Sequence, residues 1–158
     1  MIVHPIEPVF DERSRVLILG SFPSVRSRAE MFFYGHPQNR FWKVISSIFG
    51  EPIPETVEQK RQLLIENRIA LWDVIASCEI TGSADSSIKN VVPNDLSRIL
   101  NTAGIERIYV NGKTAQRYYD RYLKNAVQMN AVCLPSTSPA NAAWSLDRLV
   151  DAWSVVAK

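Results

Sequence analysis

The chain has 158 residues, 46% of them hydrophobic and 22% charged, which is enough apolar material for the core of one compact domain, residues 1–158. No apolar run reaches the length of about 18 residues that a membrane-spanning helix needs, and the start "MIVHPIEPVFDERSR" lacks the uninterrupted apolar stretch of a signal peptide. Two cysteines are too few for a structural zinc site or an iron–sulfur cluster, so we expect no metal, no cofactor and a reducing, cytoplasmic location.

Four short apolar runs predict strands. They cover residues 16–20, 69–74, 107–111 and 131–134. Their residues are apolar at successive positions rather than at alternate ones, which is typical of a parallel sheet covered on both faces.

Helical patterns lie between these runs, at residues 39–49, 56–67, 94–103, 113–125 and 143–157. The second begins with "TVEQ", a capping box in which Thr56 and Gln59 satisfy each other's backbone donors. The alternation predicts a three-layer α/β/α sandwich with a central four-stranded parallel sheet. Residues 75–93 interrupt the alternation of strands and helices and are predicted to be a long connection. Such a connection of mixed polarity in a compact domain is usually functional.

Ligands of open α/β sheets bind beyond the carboxyl ends of the strands. Four segments should meet there: the loop after Gly20, residues 75–93, the turn 111–113, and "LPSTSPANAAW" from Leu134. Positive charge is concentrated in two places, since residues 20–43 and residues 113–124 each hold four basic residues and one acidic residue. Segregated positive charge indicates a polyanionic partner, although Lys113, Arg117 and Arg121, four apart, also fit a solvated helix face.

The first of these segments carries a specific motif. "GSFPS" at 20–24 is by itself a plain turn without the glycines of a phosphate-binding loop, but it is followed by "FFYGHPQNRFWKVI". Together the two resemble the first active-site motif of the uracil-DNA glycosylase superfamily. "STSPAN" at 136–141 is similar to the second motif, a loop that enters the DNA minor groove. The resemblance spans about residues 14–157, is strongest to the hypoxanthine-DNA glycosylase branch, and implies the fold of that superfamily.

Two departures from other branches affect the predicted mechanism. Where those branches place the residue that orients the attacking water, this chain has Phe22, whose side chain cannot form a hydrogen bond. The resemblance transfers the catalytic role to Asn39, which could hold water or contact the leaving base; from its position alone it is equally a helix N-cap. The second motif has serines and a threonine in place of a histidine, which weakens any expectation of strict uracil specificity.

The resemblance also implies further roles. Residues expected to bind the base are Gly20, Ser21, Phe22, Tyr34 and Asn111, the last of which could instead be a turn residue. Residues expected to contact DNA are Arg26, Arg28, Lys113, Ser136, Ser138, Pro139, Ala140 and Asn141. We call residues 138–141 the wedge loop, because small groups inserted at a base step stabilise a kinked duplex. Two residues are possible auxiliaries: Asp85 as a water-orienting carboxylate or a helix cap, and His36 as part of the pocket wall rather than a general base.

The resulting prediction is a DNA-deoxyinosine glycosylase that hydrolyses the N-glycosidic bond of deaminated bases, hypoxanthine first and uracil second. It should leave an abasic site for base excision repair, because nothing in the sequence requires Lys43, Lys89 or Lys113 to act as a Schiff-base nucleophile. The expected partner is double-stranded DNA, with single-stranded DNA as an alternative, and the expected state is a nucleoid-associated monomer. The rival functions are a non-catalytic module that binds damaged DNA or nucleotides, and a hydrolase of free nucleosides.

Overall fold

The computed structural model describes residues 1–158 and contains seven strands and seven α-helices. The strands are β1 (Ile2–Val3), β2 (Val16–Gly20), β3 (Ile69–Asp73), β4 (Ile75–Glu79), β5 (Lys89–Pro93), β6 (Arg107–Asn111) and β7 (Ala131–Leu134). The helices are α1 (Val25–Glu30), α2 (Phe41–Ile48), α3 (Val57–Glu66), α4 (Ser97–Leu100), α5 (Lys113–Tyr122), α6 (Lys124–Val127) and α7 (Leu146–Trp153). Short 3-10 helices occur at Asp85–Ser87 and Ser154–Ala157. No helix has the length and apolarity needed to cross a bilayer.

A central parallel sheet has the strand order β3-β2-β6-β7. All five residues of β2 and of β3 are buried, which is why these segments are apolar except at their carboxyl ends, Gly20 and Asp73. The register pairs Gly20 with Asp73 and Asn111 with Leu134. These pairs bring the carboxyl ends of all four strands to one edge of the sheet. The predicted four-stranded parallel sheet and α/β fold class are confirmed.

Helices cover this sheet. Helix α3 contacts β3, α5 contacts β6 and β7, and α2 packs against α7. The predicted capping box begins α3: the Gln59 amide nitrogen donates to Thr56 Oγ1 at 3.1 Å, and the Thr56 amide nitrogen donates to Gln59 Oε1 at 3.3 Å. Because α2 and α7 pack together, the segments that precede them, which contain the two motifs, also meet.

Residues 75–93 are not the long loop that the sequence predicted. They form an antiparallel hairpin of β4 and β5, and β1 adds to it to give a second sheet with the order β1-β4-β5. The hairpin has two register shifts, and only two residues of β4, Ile75 and Cys78, are buried. A partly solvated, irregular strand pair does not produce a continuous apolar run, so its sequence is typical of a connection.

Other boundaries also differ from the sequence prediction. The helix predicted at 94–103 is only the single turn α4, because the Asn94 side chain donates to the carbonyls of Asp73 and Ile75 instead of starting a helix. Helix α1 lies within the arginine-containing segment that was predicted as a loop. The predicted last strand is only half-buried, since β7 is at the edge of the sheet and exposes Val132 and Cys133.

Candidate functional site

A cavity of about 400 Å³ opens at the carboxyl edge of the parallel sheet. Residues from the β2–α1 loop, the α1–α2 loop, the ends of β3 and β6, the β4–β5 hairpin and the loop after β7 line it. The predicted site residues among them are Gly20, Ser21, Phe22, Tyr34, His36, Asn39, Asp85, Asn111, Ser136, Ser138, Pro139 and Ala140. The sheet therefore brings twelve of the predicted residues to one cavity.

Four predicted DNA-contact residues lie outside the cavity lining. Exposed Arg26 forms an ion pair with Glu30 at 2.7 Å, and the Arg28 guanidinium donates to the carbonyls of Pro23 and Gly82 at 2.8 and 3.3 Å. Lys113 is exposed at the first residue of α5. Asn141 donates from its side chain to the Ser136 carbonyl at 3.0 Å, which shapes the loop. Arg28 is thus partly occupied within the protein, whereas Lys113 is available to phosphates.

The floor of the cavity is formed around Gly20. A Cβ at this position would lie 2.8 Å from the Tyr34 hydroxyl and closer still to Oδ1 of Asp73, well inside van der Waals contact. Only glycine leaves room for both polar groups, which approach each other across the end of β2. The residue type at position 20 is thus required by the site rather than by the turn.

Asp73 is a cavity residue that our sequence analysis did not select. It ends β3 and is 3% exposed, and its Oδ2 accepts a hydrogen bond of 2.7 Å from Nε2 of His4. Its Oδ1 makes no hydrogen bond within the protein, and Asp73 lines the cavity. A carboxylate with one oxygen fixed and the other free is a directed hydrogen-bond acceptor.

Tyr34 combines a strained backbone with an unpartnered hydroxyl. Its φ is +54°, a left-handed conformation that is costly for a bulky residue and concentrates at functional sites. Its ring stacks on Phe41 with centroids 4.1 Å apart, so one face is covered by the core. The hydroxyl is buried without a hydrogen-bond partner. Burial, followed by the nearby Asp73 carboxylate, raises the pKa of this hydroxyl, which therefore remains a proton donor at neutral pH.

Asn39 is held by a network centred on Thr137. Its Oδ1 accepts from the Thr137 hydroxyl at 2.9 Å and from the Phe41 backbone nitrogen, at the start of α2, also at 2.9 Å. Asn111 donates from Nδ2 to Thr137 Oγ1 at 3.0 Å and accepts at Oδ1 from the Thr137 backbone nitrogen at 3.1 Å. Both lone pairs of the Asn39 oxygen are thus used, as in a helix cap, whereas its Nδ2 makes no hydrogen bond within the protein.

The network also indicates what Asn111 does. Both atoms of its amide bind Thr137, a residue that is fully buried at 0% exposure. Asn111 therefore joins the end of β6 to the loop after β7, while one N–H of Nδ2 and one lone pair of Oδ1 remain unused, so its predicted contact with the base stays a prediction. The adjacent Gly112 has a φ of +93° and approaches the Ser136 side chain closely, so it supports the same junction.

Three other predicted residues shape the cavity mouth. Phe22 is half-buried, with its ring edge against His4 at 5.8 Å and the Arg28 guanidinium over its face at 5.6 Å. His36 is exposed, and its Nδ1 accepts from the Gln38 backbone nitrogen at 3.1 Å. Asp85 begins the Asp85–Ser87 3-10 helix. Asp85 is an exposed residue, but partial desolvation of its carboxylate raises its pKa, with a further contribution from Asp73, and the hydroxyls of Thr114 and Ser21 oppose the shift.

Arg40, the arginine of "HPQNRFW", connects the two motifs. Its guanidinium donates to the carbonyls of Ser138 at 3.2 Å, Asn141 at 3.1 Å and Trp144, and its backbone nitrogen donates to the Thr137 carbonyl at 3.0 Å. No carboxylate pairs with it. One planar cation therefore holds the wedge loop against the start of α2.

We expect Arg40→Met to weaken binding of a lesion-containing duplex about tenfold, because three carbonyls lose a charge-assisted donor while the unbranched side-chain stem is kept. Fluorescence anisotropy with labelled duplex measures the effect. Lys43→Met is the matched control, because Lys43 is an exposed cation in the first turn of α2, which begins directly after Arg40, with no such contacts. Equal weakening by both substitutions would show that Arg40 contributes only its charge.

Four residues of this site were not predicted from the sequence: His4, Arg40, Asp73 and Thr137. Asp73 had a usable signal, since it is a carboxylate at the end of the buried run "IALWD". Arg40 and Thr137 lie inside the recognised motifs, but their partners are about 100 positions away in the chain. His4 had no signal. No three side chains of His, Cys, Asp or Glu are grouped as metal ligands.

Comparisons with known proteins agree with the residue patterns. The family model of the Uracil DNA glycosylase superfamily matches residues 7–157. The chain is 35% identical over 150 residues to a hypoxanthine DNA glycosylase of Methanosarcina acetivorans, covering 94% of both chains. It is also 35% identical over 136 residues to one of Methanosarcina barkeri, covering 85% of both. A solution NMR structure of a candidate uracil DNA glycosylase from M. acetivorans superposes with a TM-score of 0.84 at 34% identity, over 99% of this chain and 97% of that one.

Proposed function

Because the chain belongs to the uracil DNA glycosylase superfamily, we propose that it is a monofunctional DNA glycosylase that removes hypoxanthine, and secondarily uracil, from DNA. The products are the free base and an abasic site for base excision repair. The observation that carries this proposal is the cavity at the sheet edge, whose lining residues include Asn39 with a free donor, Asp73 with a free acceptor, and Tyr34, whose buried hydroxyl has no partner within the protein.

The target base must leave the duplex to reach these groups. Extrusion costs a few kcal/mol and costs least for a mispaired base. A deaminated base is mispaired because it still faces the base that paired with its parent. A cavity of about 400 Å³ lies within the usual size range of ligand sites. The wedge loop at its rim, with Pro139 and Ala140, is placed to occupy the step that the base vacates.

Asp73 and Tyr34 are suited to read the edge that deamination creates. Hypoxanthine and uracil both present a ring N–H beside a carbonyl, whereas adenine and cytosine present a ring nitrogen acceptor beside an amino group. Oδ1 of Asp73 can accept from the ring N–H, and the Tyr34 hydroxyl can donate to the carbonyl. The parent bases adenine and cytosine would direct an acceptor at the carboxylate and leave a buried donor unpaired, which sites of this kind reject strongly.

Asn39 supplies the catalytic donor. Cleavage builds positive charge on the sugar and negative charge on the departing base. The Asn39 oxygen is occupied by Thr137 and the start of α2, so its free Nδ2 is the atom available to stabilise the base as it leaves. This arrangement favours contact with the leaving base over orientation of water, and Asp85, at the cavity mouth, is the auxiliary carboxylate placed to orient water.

The reaction ends at the abasic site in this proposal. A lyase needs an amine nucleophile at the sugar carbon, and the cavity is lined without a lysine: Lys43, Lys89 and Lys113 all lie outside it. We propose that the protein acts as a monomer on double-stranded DNA, and that the exposed cation Lys113, with Arg26 and Arg28, contributes a salt-dependent attraction to phosphates.

The direct test is base release from a substrate panel under single-turnover conditions. Duplexes carrying one deoxyinosine or one deoxyuridine, a single-stranded deoxyinosine oligonucleotide, undamaged duplex and free inosine are incubated with excess protein. Alkali-labile sites are scored for the oligonucleotides, and released base is measured by chromatography for all substrates. We expect cleavage of the deoxyinosine duplex, slower cleavage of deoxyuridine and none of undamaged DNA. Tight lesion binding without any release would indicate the binding module. Cleavage of free inosine as fast as the duplex would indicate a nucleoside hydrolase.

Tyr34→Phe should have opposite effects on stability and activity. Removing the unpartnered buried hydroxyl should raise the free energy of unfolding by about 1 kcal/mol, because a buried unsatisfied group is costly. The same change should lower the rate of hypoxanthine release about tenfold, because the donor to the base carbonyl is lost. Urea unfolding and single-turnover kinetics measure the two effects. A variant with unchanged rate would exclude the hydroxyl from base recognition.

A further inference from the structure

The N-terminal strand brings a histidine beneath the cavity. Residues of β1 pair with β4, Ile2 with Cys78 and Val3 with Ser77, and the His4 backbone nitrogen continues the pairing by donating to the Ala76 carbonyl at 2.7 Å. The His4 side chain is 2% exposed. Three aromatic rings surround it, those of Phe22, Phe33 and Trp72, with centroids 5.8, 6.1 and 6.3 Å away. This packing leaves the imidazole little freedom to reorient.

The hydrogen bonds of His4 assign its tautomer. The Ile6 backbone nitrogen donates to Nδ1 at 3.2 Å, so Nδ1 is an acceptor and cannot carry a proton. The proton of the neutral ring is therefore on Nε2, which donates to Oδ2 of Asp73 at 2.7 Å. His4 is thus a fixed donor aimed at one carboxylate oxygen.

We propose that His4 is a positioning residue for base recognition: it holds Oδ2 of Asp73 so that Oδ1 stays directed into the cavity as the acceptor for the base N–H. This inference rests on the proposed function, in which Asp73 reads the base edge. It extends the site to β1, a segment of the second sheet that contributes no residue to the cavity lining.

The neighbouring hydroxyl explains why a fixed orientation matters. Tyr34 has a buried hydroxyl without a partner, close to Oδ1 of Asp73 across Gly20. Without the His4 bond, the carboxylate is free to turn towards this hydroxyl and accept from it. That new pair would satisfy both groups within the protein and remove the acceptor and the donor from the base together.

Two substitutions of His4 separate positioning from packing. His4→Gln keeps an N–H donor at about the reach of Nε2, whereas His4→Phe keeps a buried ring but has no donor. We expect His4→Phe to lower the single-turnover rate on duplex deoxyinosine about 10- to 100-fold, the range for a lost hydrogen bond to a charged group. His4→Gln should remain within about threefold of the wild-type rate.

A binding measurement excludes a merely structural effect. In the Asn39→Ala background, which preserves the substrate, the ratio of affinities for deoxyinosine duplex and undamaged duplex is measured for both His4 variants. His4→Phe should lose about 10- to 100-fold of this preference with unchanged affinity for undamaged DNA, and His4→Gln should keep it. The inference is overturned if His4→Phe in the Asn39→Ala background prefers the deoxyinosine duplex as strongly as Asn39→Ala alone. An equal loss of this preference in both His4 variants also overturns it.

The outcomes also separate this inference from the proposed function. If the wild-type protein releases no base from any lesion, the proposed function fails whatever His4 does. If the wild-type protein releases hypoxanthine and His4→Phe releases it equally fast, only the positioning role fails. Thermal melting of both variants accompanies the assays, and should His4→Phe be unfolded, the folded His4→Gln variant decides: retained preference supports the inference and lost preference overturns it.

Discussion

Asn39→Ala should lower the single-turnover rate of hypoxanthine release about 10²- to 10³-fold, the effect of removing one donor that stabilises developing charge. Binding of the deoxyinosine duplex should persist, because the groups that read the base edge, Asp73 and Tyr34, are unchanged. The variant should also lose about 0.5–2 kcal/mol of stability, the range for a lost capping side chain, because the Asn39 oxygen accepts from the backbone nitrogen of Phe41, the first residue of α2. Rapid-quench kinetics, fluorescence anisotropy and urea unfolding measure the three effects.

Asn39→Asp is the control that separates the two atoms of this side chain. It keeps an oxygen for Thr137 and for the start of α2, so stability should stay close to that of the wild type, but it removes the Nδ2 donor. If the donor acts on the leaving base, this variant is as slow as Asn39→Ala. A wild-type rate in Asn39→Asp would contradict the donor role and assign catalysis to the oxygen, which would then orient water.

Gly20→Ala should be the most damaging conservative change in the cavity. The added Cβ would collide with the Asp73 carboxylate and the Tyr34 hydroxyl, so both must move. We expect a loss of about 1–3 kcal/mol in the free energy of unfolding from overpacking. The rate of base release should fall about 100-fold, since a displacement of about 1 Å in a recognition group is enough for that.

Gly104→Ala provides the matched control for Gly20→Ala. A Cβ at Gly104 would meet only the Arg15 side chain, at 3.8 Å or more, which is ordinary van der Waals contact. Its rate of base release should equal that of the wild type, and its stability should change by no more than about 0.5 kcal/mol. A fully active Gly20→Ala protein would show that the floor of the cavity does not hold the base.

The parts of the fold that could be predicted are those whose burial shows in consecutive residues. β2 and β3 are buried along their whole length, and their sequences are apolar up to Gly20 and Asp73, so the pattern was enough to predict that these strands exist and run parallel. The β4–β5 hairpin is largely solvated and irregular in register. Its residues alternate neither cleanly nor at a helical period, so no local signal distinguishes it from a loop.

The residues of the site also fall into a group that the sequence could predict and a group that it could not. Asn39 and Tyr34 could be selected because they belong to a motif with recognisable letters, and Gly20 because it ends an apolar strand. The partners that decide their chemistry are set by tertiary contacts: His4 binds Asp73 across 69 positions and Thr137 binds Asn39 across 98. Only the folded chain shows that Asn111 binds Thr137 through both amide atoms and that the Asn39 oxygen is already occupied.

The most direct test of the central claim is chromatographic measurement of free hypoxanthine released from a deoxyinosine duplex by excess wild-type protein in a metal-free buffer. We expect one equivalent of hypoxanthine per duplex and one alkali-labile site at the position of the lesion, with no strand cleavage before alkali. A protein that binds the deoxyinosine duplex in preference to undamaged duplex, yet releases no hypoxanthine, would contradict this expectation.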